Sequence, residues 1–239
     1  MMLVTNCVGA QALHILTTEV PPLAFAQNGQ LGGFCVEIVA EIQRRVADDT
    51  PMQILPWARA YSLAQTQQHT ILVCPKRSPE REPLFKLVGP LLDSDTDFFV
   101  KKNSVVRIHS LDEAKRFQTI LVARDSYTLG YLQANGFHNL CPVNDPAGML
   151  RMLLADRAPV LALERLQLDA VLAQAGMPLS AVRNIFHIQS LPSDLAFSKD
   201  IPEKTRERWQ AALDAMKRDG SYARIYEKWF PHLSVGTKP

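Results

Sequence analysis

Short apolar strands alternate with amphipathic helical segments along most of this 239-residue chain, and this alternation limits the folds open to it. Proline and glycine end most segments, because proline cannot donate to a sheet ladder and glycine accepts turn conformations. Strands that are joined through helices become parallel neighbours in a layered sheet. In the first third of the chain the pattern predicts strands at residues 12–18, 52–55 and 70–74 and helices beginning near 34 and 58, with Pro75 ending the third strand.

A second alternation of similar size follows, and then the pattern changes. Strands are predicted at residues 95–100, 119–123, 139–143 and 159–163, with helices between them that end at Gly136 and Gly176. After a strand at 194–198, two helices follow one another, carrying Trp209 and Trp229 on apolar faces. The chain therefore divides into two α/β portions and a helical tail.

The charge and the motifs exclude several classes of function. With 26 basic and 24 acidic residues, the formal charge of +2 is too small for the basic surface typical of nucleic-acid binding. The chain lacks a G-x-S-x-G elbow, a Walker A loop, H-E-x-x-H and C-x-x-C, and its histidines are scattered. We therefore expect no metal or nucleotide cofactor. Whether Cys7, Cys35, Cys74 and Cys141 form a disulfide is left open by their spacing.

The start of the chain does not read as an intact secretory signal peptide. Residues 1–7 contain no basic region followed by a long apolar region. The chain is therefore either cytoplasmic or begins near a mature N-terminus from which a signal has been removed. No apolar run approaches the roughly 18 residues that cross a bilayer.

The segment 75–82 is the most informative for function, because it follows a buried strand and is rich in cations. Ligands of α/β units sit beyond the carboxyl ends of the strands, and a guanidinium there can bind a carboxylate through two parallel hydrogen bonds. The alternative is a solvated charged loop.

Several motifs, in order, resemble the family 3 solute-binding proteins of amino-acid ABC importers. They are Gly32-Gly33-Phe34, Trp57, Ser78-Pro79-Glu80-Arg81, and the ending that runs from Met216 through Gly220 to Trp229-Phe230. The resemblance extends from about Leu13 to Phe230. It implies two α/β lobes with a ligand cleft between them, joined by two hinge crossings near residues 93–96 and 190–192. Residues 1–95 and 190–239 then form one lobe and residues 96–189 the other.

The resemblance also implies roles for individual residues. Arg81 corresponds to the clamp for the ligand's α-carboxylate. Ser126 and Tyr127, in the loop 124–128, occupy the place where hydroxyls and helix N-terminal amides bind the same carboxylate. Glu164 corresponds to the partner of the α-ammonium, although a surface carboxylate beginning a helix is the simpler alternative.

The chain departs from the family pattern around this site. Cys35 and Cys74 lie on the proposed cleft side, with Cys35 where an Asp is common. Lys76 and Arg77 stand where small hydroxyl residues are usual, and they either favour an acidic ligand or point to solvent.

Three further residues are candidates for the cleft. Trp57 and Phe25 are candidate cleft walls, the alternative being core positions. Arg59 either reaches the cleft or lies on the helix surface.

The resulting expectation is a periplasmic, monomeric binding protein that captures a small polar, amino-acid-like or carboxylate-bearing solute. It performs no chemistry and delivers its ligand, by hinge closure, to the membrane permease of an ABC importer. Two alternatives stay open. One is a ligand-sensing module of a receptor with the same fold, and the other is a dehydratase-type enzyme with Glu164 as its base.

Overall fold

A computed structural model describes residues 13–124 and 126–233, so Cys7 and Asp125 lie outside the described residues. These residues divide into two compact units. Residues 13–91 and 193–233 form unit 1, and residues 92–192 form unit 2.

Ten strands occur within the described residues. They are β1 (His14–Thr17), β2 (Phe25–Gln27), β3 (Gln30–Gly32), β4 (Met52–Ile54), β5 (Thr70–Lys76), β6 (Lys86–Lys101), β7 (Ile120–Ala123), β8 (Leu140–Val143), β9 (Val160–Glu164) and β10 (Val182–Phe197).

Eight α-helices occur in the same part of the chain. They are α1 (Phe34–Val46), α2 (Trp57–Thr66), α3 (Leu111–Ala114), α4 (Tyr127–Ala134), α5 (Pro146–Leu154), α6 (Leu168–Gln174), α7 (Glu203–Arg218) and α8 (Ser221–Trp229). None of these helices combines the length and the apolar character that a membrane crossing requires.

In unit 1, β1 lies between β4 and β5, and all three strands are parallel, as the alternation predicts. The end of β10 pairs antiparallel with β5. Helix α2 packs on β1 and β5, while α1, α7 and α8 pack on one another. The ring of Phe34, which is fully buried, meets the rings of Tyr222, Tyr226 and Phe230 at centroid distances between 5.3 and 5.9 Å.

A hairpin precedes α1 and explains the glycines there. β2 and β3 are joined by Asn28 and Gly29, both with positive φ, which is the geometry of a tight two-residue hairpin turn. Gly33 then adopts φ 119° and lies against the backbone of Leu23, where a Cβ would overlap the carbonyl. Only glycine fits this position.

The prediction that Pro75 ends the third strand is wrong. β5 continues to Lys76, which pairs with Ser193 of β10. The register of this pairing shifts between Ser193 and Leu195 of β10, and Cys74 has φ 58°. An irregularity of this kind accommodates a proline in a strand, because the residue that cannot donate sits where the ladder is already interrupted.

In unit 2, β7 lies between β8 and β9 and is parallel to both, while β6 runs antiparallel to β9. Apolar clusters cover both faces of this sheet, one around Phe98 and Val122 and the other around Leu121 and Leu161. Asp145 caps α5 by accepting a hydrogen bond from the amide of Ala147, at the predicted helix start.

β6 and β10 are much longer than predicted. Each has 16 residues, and each runs from one unit into the other, so the chain passes between the units within continuous strands. The sequence pattern predicted strands only at 95–100 and 194–198, because Gly89-Pro90 and the polar residues 93–95 have low strand propensity.

Candidate functional site

The candidate site in unit 1 lies at the carboxyl ends of parallel strands. Trp57 follows β4 at the first residue of α2, and Cys74 and Lys76 lie at the end of β5. Because β1 pairs with both strands in the same direction, these ends share one edge of the sheet. Ligands of open α/β sheets bind at such edges.

A disulfide joins Cys35, in the first turn of α1, to Cys74, and their Cα atoms are 6.4 Å apart. This settles the state of two cysteines that the sequence left open, whereas Cys141 is a free thiol. The bond fixes the irregular end of β5 to α1. It therefore restrains the start of the segment that leads to Arg81.

The backbone places Arg81 at the start of a short 3-10 turn. Its amide donates to the carbonyl of Ser78 at 2.9 Å, and its guanidinium Nη1 donates to the carbonyl of Lys76 at 3.2 Å. The side chain is half-buried. Because both the backbone and the guanidinium of Arg81 are hydrogen-bonded, the side chain has little rotamer freedom left to lose when it binds an anion.

Two aromatic rings lie beneath this guanidinium. The Arg81 Cζ atom is 4.9 Å from the ring centroid of Trp57 and 5.4 Å from that of Tyr61. The two rings are themselves stacked, with centroids 5.3 Å apart and planes 18° from parallel. Cation–π attraction orients the guanidinium flat against them. Tyr61 was missed in the sequence, although its i+4 spacing from Trp57 places both rings on one helix face.

Lys76 and Ser78, on either side of Arg77, are buried. The Ser78 hydroxyl has no hydrogen-bond partner among the residues that the structure describes. A buried hydroxyl in this position leaves a donor and an acceptor for a small polar molecule.

Arg77 does not point only to solvent. Its Nε and Nη2 atoms donate to the two oxygens of Asp194, each at 2.7 Å. The Asp194 side chain is fully buried, and burial raises the pKa of this carboxyl while the guanidinium of Arg77 opposes that change. Arg77 therefore compensates the charge of a carboxylate in unit 1 that water does not reach.

The other two candidates in unit 1 are Arg59 and Phe25. Arg59 is exposed on α2. Phe25 packs edge-to-face on Trp229 of α8, with ring centroids 5.7 Å apart. The contacts of Phe25 are thus those of a packing residue at the hairpin.

In unit 2, the candidate residues also lie at the carboxyl ends of neighbouring parallel strands. Ser126 follows β7 and Glu164 ends β9. The Ser126 hydroxyl caps α4, since it accepts from the amide of Leu129 at 3.1 Å and donates to the carbonyl of Ala123 at 2.7 Å. Tyr127 begins the helix, whose first-turn amides point towards this end and suit an anion.

Glu164 is oriented by a neighbouring strand. Its Oε2 atom accepts a hydrogen bond of 2.8 Å from the hydroxyl of Ser94, which is itself buried. Ser94 was not recognised in the sequence, because its contact with Glu164 depends on the pairing of β6 with β9. Among the described residues, no group of three or more His, Cys, Asp or Glu side chains could hold a metal ion.

Comparison with known proteins places this chain in a family. It is 23% identical over 222 residues to a protein of Bacillus subtilis (strain 168) named "Probable amino-acid-binding protein YxeM", covering 91% of this chain and 83% of that one. A histidine kinase sensor domain with similarity to periplasmic binding proteins superposes with a TM-score of 0.78 at 18% identity, covering 91% of this chain and 95% of that one. For an ancestral arginine-binding protein bound to glutamine, the TM-score is 0.72 at 22% identity, covering 93% and 99%.

These structures confirm the predicted α/β fold of the type II periplasmic binding proteins. The model of the bacterial extracellular solute-binding proteins, family 3, matches residues 13–232, which is nearly the whole described chain. The chain belongs to the bacterial extracellular solute-binding proteins, family 3.

Proposed function

We propose that this protein binds a small, amino-acid-like solute through its carboxylate, and that Arg81 is the clamp. The observation that carries the proposal is the guanidinium of Arg81 lying over the rings of Trp57 and Tyr61, at the carboxyl edge of the unit 1 sheet. A planar fork held in place can form two parallel hydrogen bonds to a carboxylate. The amino-acid-binding relative supports the class of ligand.

The surroundings of Arg81 favour an anionic group. Lys76 is buried beside it, whereas the charge of Arg77 is balanced by Asp194. The stacked rings exclude water from one side of the guanidinium, which strengthens its attraction for a carboxylate. The hydroxyl of Ser78 adds a neutral hydrogen-bonding group in the same segment.

The resemblance to the family also assigns ligand-binding roles to residues of unit 2. We propose that Glu164, oriented by Ser94, binds the α-ammonium group, and that the first-turn amides at Tyr127 bind the carboxylate. The hydroxyl of Ser126 is engaged on both sides, so we assign to it the role of shaping this helix end. Charge-assisted hydrogen bonds of these kinds discriminate zwitterions from neutral solutes.

The disulfide supports an extracytoplasmic location. Bonds such as that between Cys35 and Cys74 form and persist in oxidising compartments, including the bacterial periplasm. Together with membership of an extracellular solute-binding family, this leads us to propose a periplasmic monomer that serves the permease of an ABC importer.

Closure about a hinge, with the crossings near 93–96 and 190–192 as the hinge, stays a prediction from the resemblance. Small-angle X-ray scattering tests it, because closure on a bound amino acid reduces the radius of gyration.

A thermal-shift screen followed by calorimetry tests the binding proposal. A ligand present well above its Kd raises the melting temperature, so a panel of L-amino acids, the matching amines without a carboxylate, dicarboxylates and polyamines identifies the required group. We expect L-amino acids to raise the melting temperature and the matching amines to leave it unchanged. Shifts with the amines alone would contradict the carboxylate clamp. Recovery of the bound compound unchanged, by mass spectrometry, tests the further proposal that the protein performs no reaction.

A further inference from the structure

Asp97 of β6 is the centre of a charged cluster in unit 2 that the proposed function does not use. Its side chain is fully buried. Its Oδ2 atom accepts from Nε and Nη2 of Arg165 at 2.9 and 2.7 Å, and its Oδ1 atom lies 2.9 Å from Nδ1 of His187 on β10. The two partners therefore approach the carboxylate from two different segments of the chain.

Two more residues close this cluster into a ring of contacts. The Nε2 atom of His187 is 3.1 Å from the hydroxyl of Ser190, and that hydroxyl donates to Oδ1 of Asp95 at 2.5 Å. Asp95 returns to the start, since its Oδ2 atom is 3.2 Å from Nη1 of Arg165. We refer to Asp95, Asp97, Arg165, His187 and Ser190 together as the Asp97 cluster.

The hydrogen bonds of the Asp97 cluster constrain the protons on His187. A carboxylate only accepts hydrogen bonds, so Nδ1 must donate to Asp97. Ser190 has one proton, which it donates to Asp95, so its oxygen must accept from Nε2. Both contacts of the imidazole are hydrogen bonds at the same time only when each of its two nitrogens carries a proton.

The hydrogen bonds of Ser190 differ from those of an acyl-transfer triad. In such a triad, the serine hydroxyl donates its proton to the histidine that serves as its base. Here the hydroxyl proton of Ser190 lies towards Asp95, and Ser190 accepts from the imidazole. The Asp97 cluster therefore has the contacts of a structural ionic network.

The Asp97 cluster lies next to the candidate ligand residue Glu164 in the chain. Successive side chains of a strand point to opposite faces, so Asp95 and Asp97 lie on one face of β6 and Ser94 on the other. Ser94 donates to Glu164, and Arg165 is the residue directly after Glu164. The Asp97 cluster is therefore joined to Glu164 through the peptide bond between Glu164 and Arg165.

We propose that the Asp97 cluster positions Glu164 and that a proton on His187 maintains this arrangement, so that amino-acid binding weakens when the imidazole loses that proton. This inference rests on the proposed function of Glu164. When the imidazole loses a proton, Nε2 becomes an acceptor, and Ser190 satisfies it only by turning its own proton away from Asp95. Asp95 then keeps only its contact with Arg165, and the restraint on the strand end is reduced.

The charged groups that face His187 set the size of the effect. They are Asp97 directly, with Asp95 and Arg165 one contact further, and they come from β6 and from the segment after β9. The side chains of His187 and Arg165 are 48% and 39% exposed, so solvent screens them. We expect affinity to change by about two- to fivefold, as for a partly exposed ion pair.

Nitrogen-15 NMR of the full chain tests the protonation directly and needs no ligand. At about pH 6, both ring nitrogens of His187 should have the shifts of protonated nitrogens, and one should change as the pH rises to about 8. His138, which is exposed in the same unit, is the matched reference. A neutral His187 at about pH 6, or one whose nitrogens do not change across this range, would overturn the proposal.

A melting assay tests the coupling to binding. The probe is a mixture of the common L-amino acids without histidine, and the rise in melting temperature is compared between about pH 6 and about pH 7.5. The rise should be larger at the lower pH in the wild type and in His138→Asn, and independent of pH in His187→Asn. Equal pH dependence in all three proteins would refute the coupling. No rise at any pH in the wild type would instead refute the proposed function, while the NMR result would still decide the charge of His187.

Discussion

Arg77 forms two hydrogen bonds of 2.7 Å to the carboxylate of Asp194, a side chain with no exposed surface. The carboxylate also lies against Gly89, where any side chain would overlap it. Arg77 is thus bound to a buried structural carboxylate, whereas Arg81, four residues later, lies over two aromatic rings. The two arginines of one short segment therefore have different roles, and substitution separates them.

Replacing Arg77 should destabilise the protein. Arg77→Ala leaves the charge of Asp194 buried without its partner, which costs about 3 kcal/mol of unfolding free energy near neutral pH. Urea unfolding measures this loss. A loss below about 0.5 kcal/mol would show that the pair contributes nothing to stability.

The same loss should shrink on acidification. Burial raises the pKa of Asp194 in the folded protein, so the stability linked to its bound proton is present at low pH and disappears as the pH rises through the folded-state value. Without Arg77 that pKa rises further, and the protonated carboxyl needs no cation. The difference between wild type and Arg77→Ala should therefore be smaller at about pH 4.5 than at about pH 7, and a constant difference would contradict this explanation.

Replacing Arg81 should abolish most of the binding of a carboxylate ligand. Arg81→Ala removes a bidentate, charge-assisted contact and should cost about 2–5 kcal/mol, or roughly 30-fold to several-thousand-fold in affinity, by calorimetry. Arg81→Lys should not restore it fully, because an ammonium lacks the planar fork and stacks less well on the rings of Trp57 and Tyr61.

The matched control for Arg81 is Arg44→Ala on α1, whose side chain is 69% exposed. It removes one arginine of unit 1 that pairs with Glu41, and it should change affinity by no more than a few-fold. Equal binding by the wild type and Arg81→Ala, with both folded by circular dichroism, would refute the clamp.

Removing the disulfide should weaken both stability and binding. The bond between Cys35 and Cys74 closes a loop with a sequence separation of 39 residues, so Cys35→Ala with Cys74→Ala should lower the unfolding free energy by about 4 kcal/mol. Binding should also weaken, since the segment that leads to Arg81 loses its attachment to α1. If affinity for an amino acid stays unchanged in the folded double variant, the disulfide does not position the site.

Glu41 of α1 should contribute to the stability of unit 1 near neutral pH, and this contribution should be lost on acidification. Hydrogen bonds from Arg44, and then from Arg45, lower the pKa of Glu41 from 4.5 to about 2. A lowered folded-state pKa gives stability that is present above the ordinary value and is lost as the pH falls through the folded-state value. Glu41→Gln should therefore lower the melting temperature near neutral pH and have little effect near pH 2.

Arg44 is 69% exposed, whereas Glu41 and Arg45 are 21% and 18% exposed at the protein surface, so the contribution of Glu41 should be about 1 kcal/mol and fall as salt is added. For comparison, the same melting measurement can be made on the surface ion pair of Lys115 and Asp112 in unit 2. A Glu41→Gln effect that persists unchanged at low pH would show that packing is responsible for it.

The sequence by itself determined the local structure, because caps, periodicity and breakers act within a few residues. The start of α5 at Pro146 and the end of α4 at Asn135-Gly136 follow from such neighbours. The family and the segment that carries Arg81 could be predicted for the same reason, since the motifs are short and occur in order along the chain.

Only the tertiary structure decided which distant side chains meet. Arg77 and Asp194 are 117 residues apart, and Asp97 and His187 are 90 apart. Their contacts depend on the register and face of β5, β6 and β10, and a shift of one residue would turn each side chain to the other face. The length of β6 and β10 was decided in the same way, because their neighbours in the sheet are distant in the sequence and Gln210 of α7 bonds both backbone groups of Gly89.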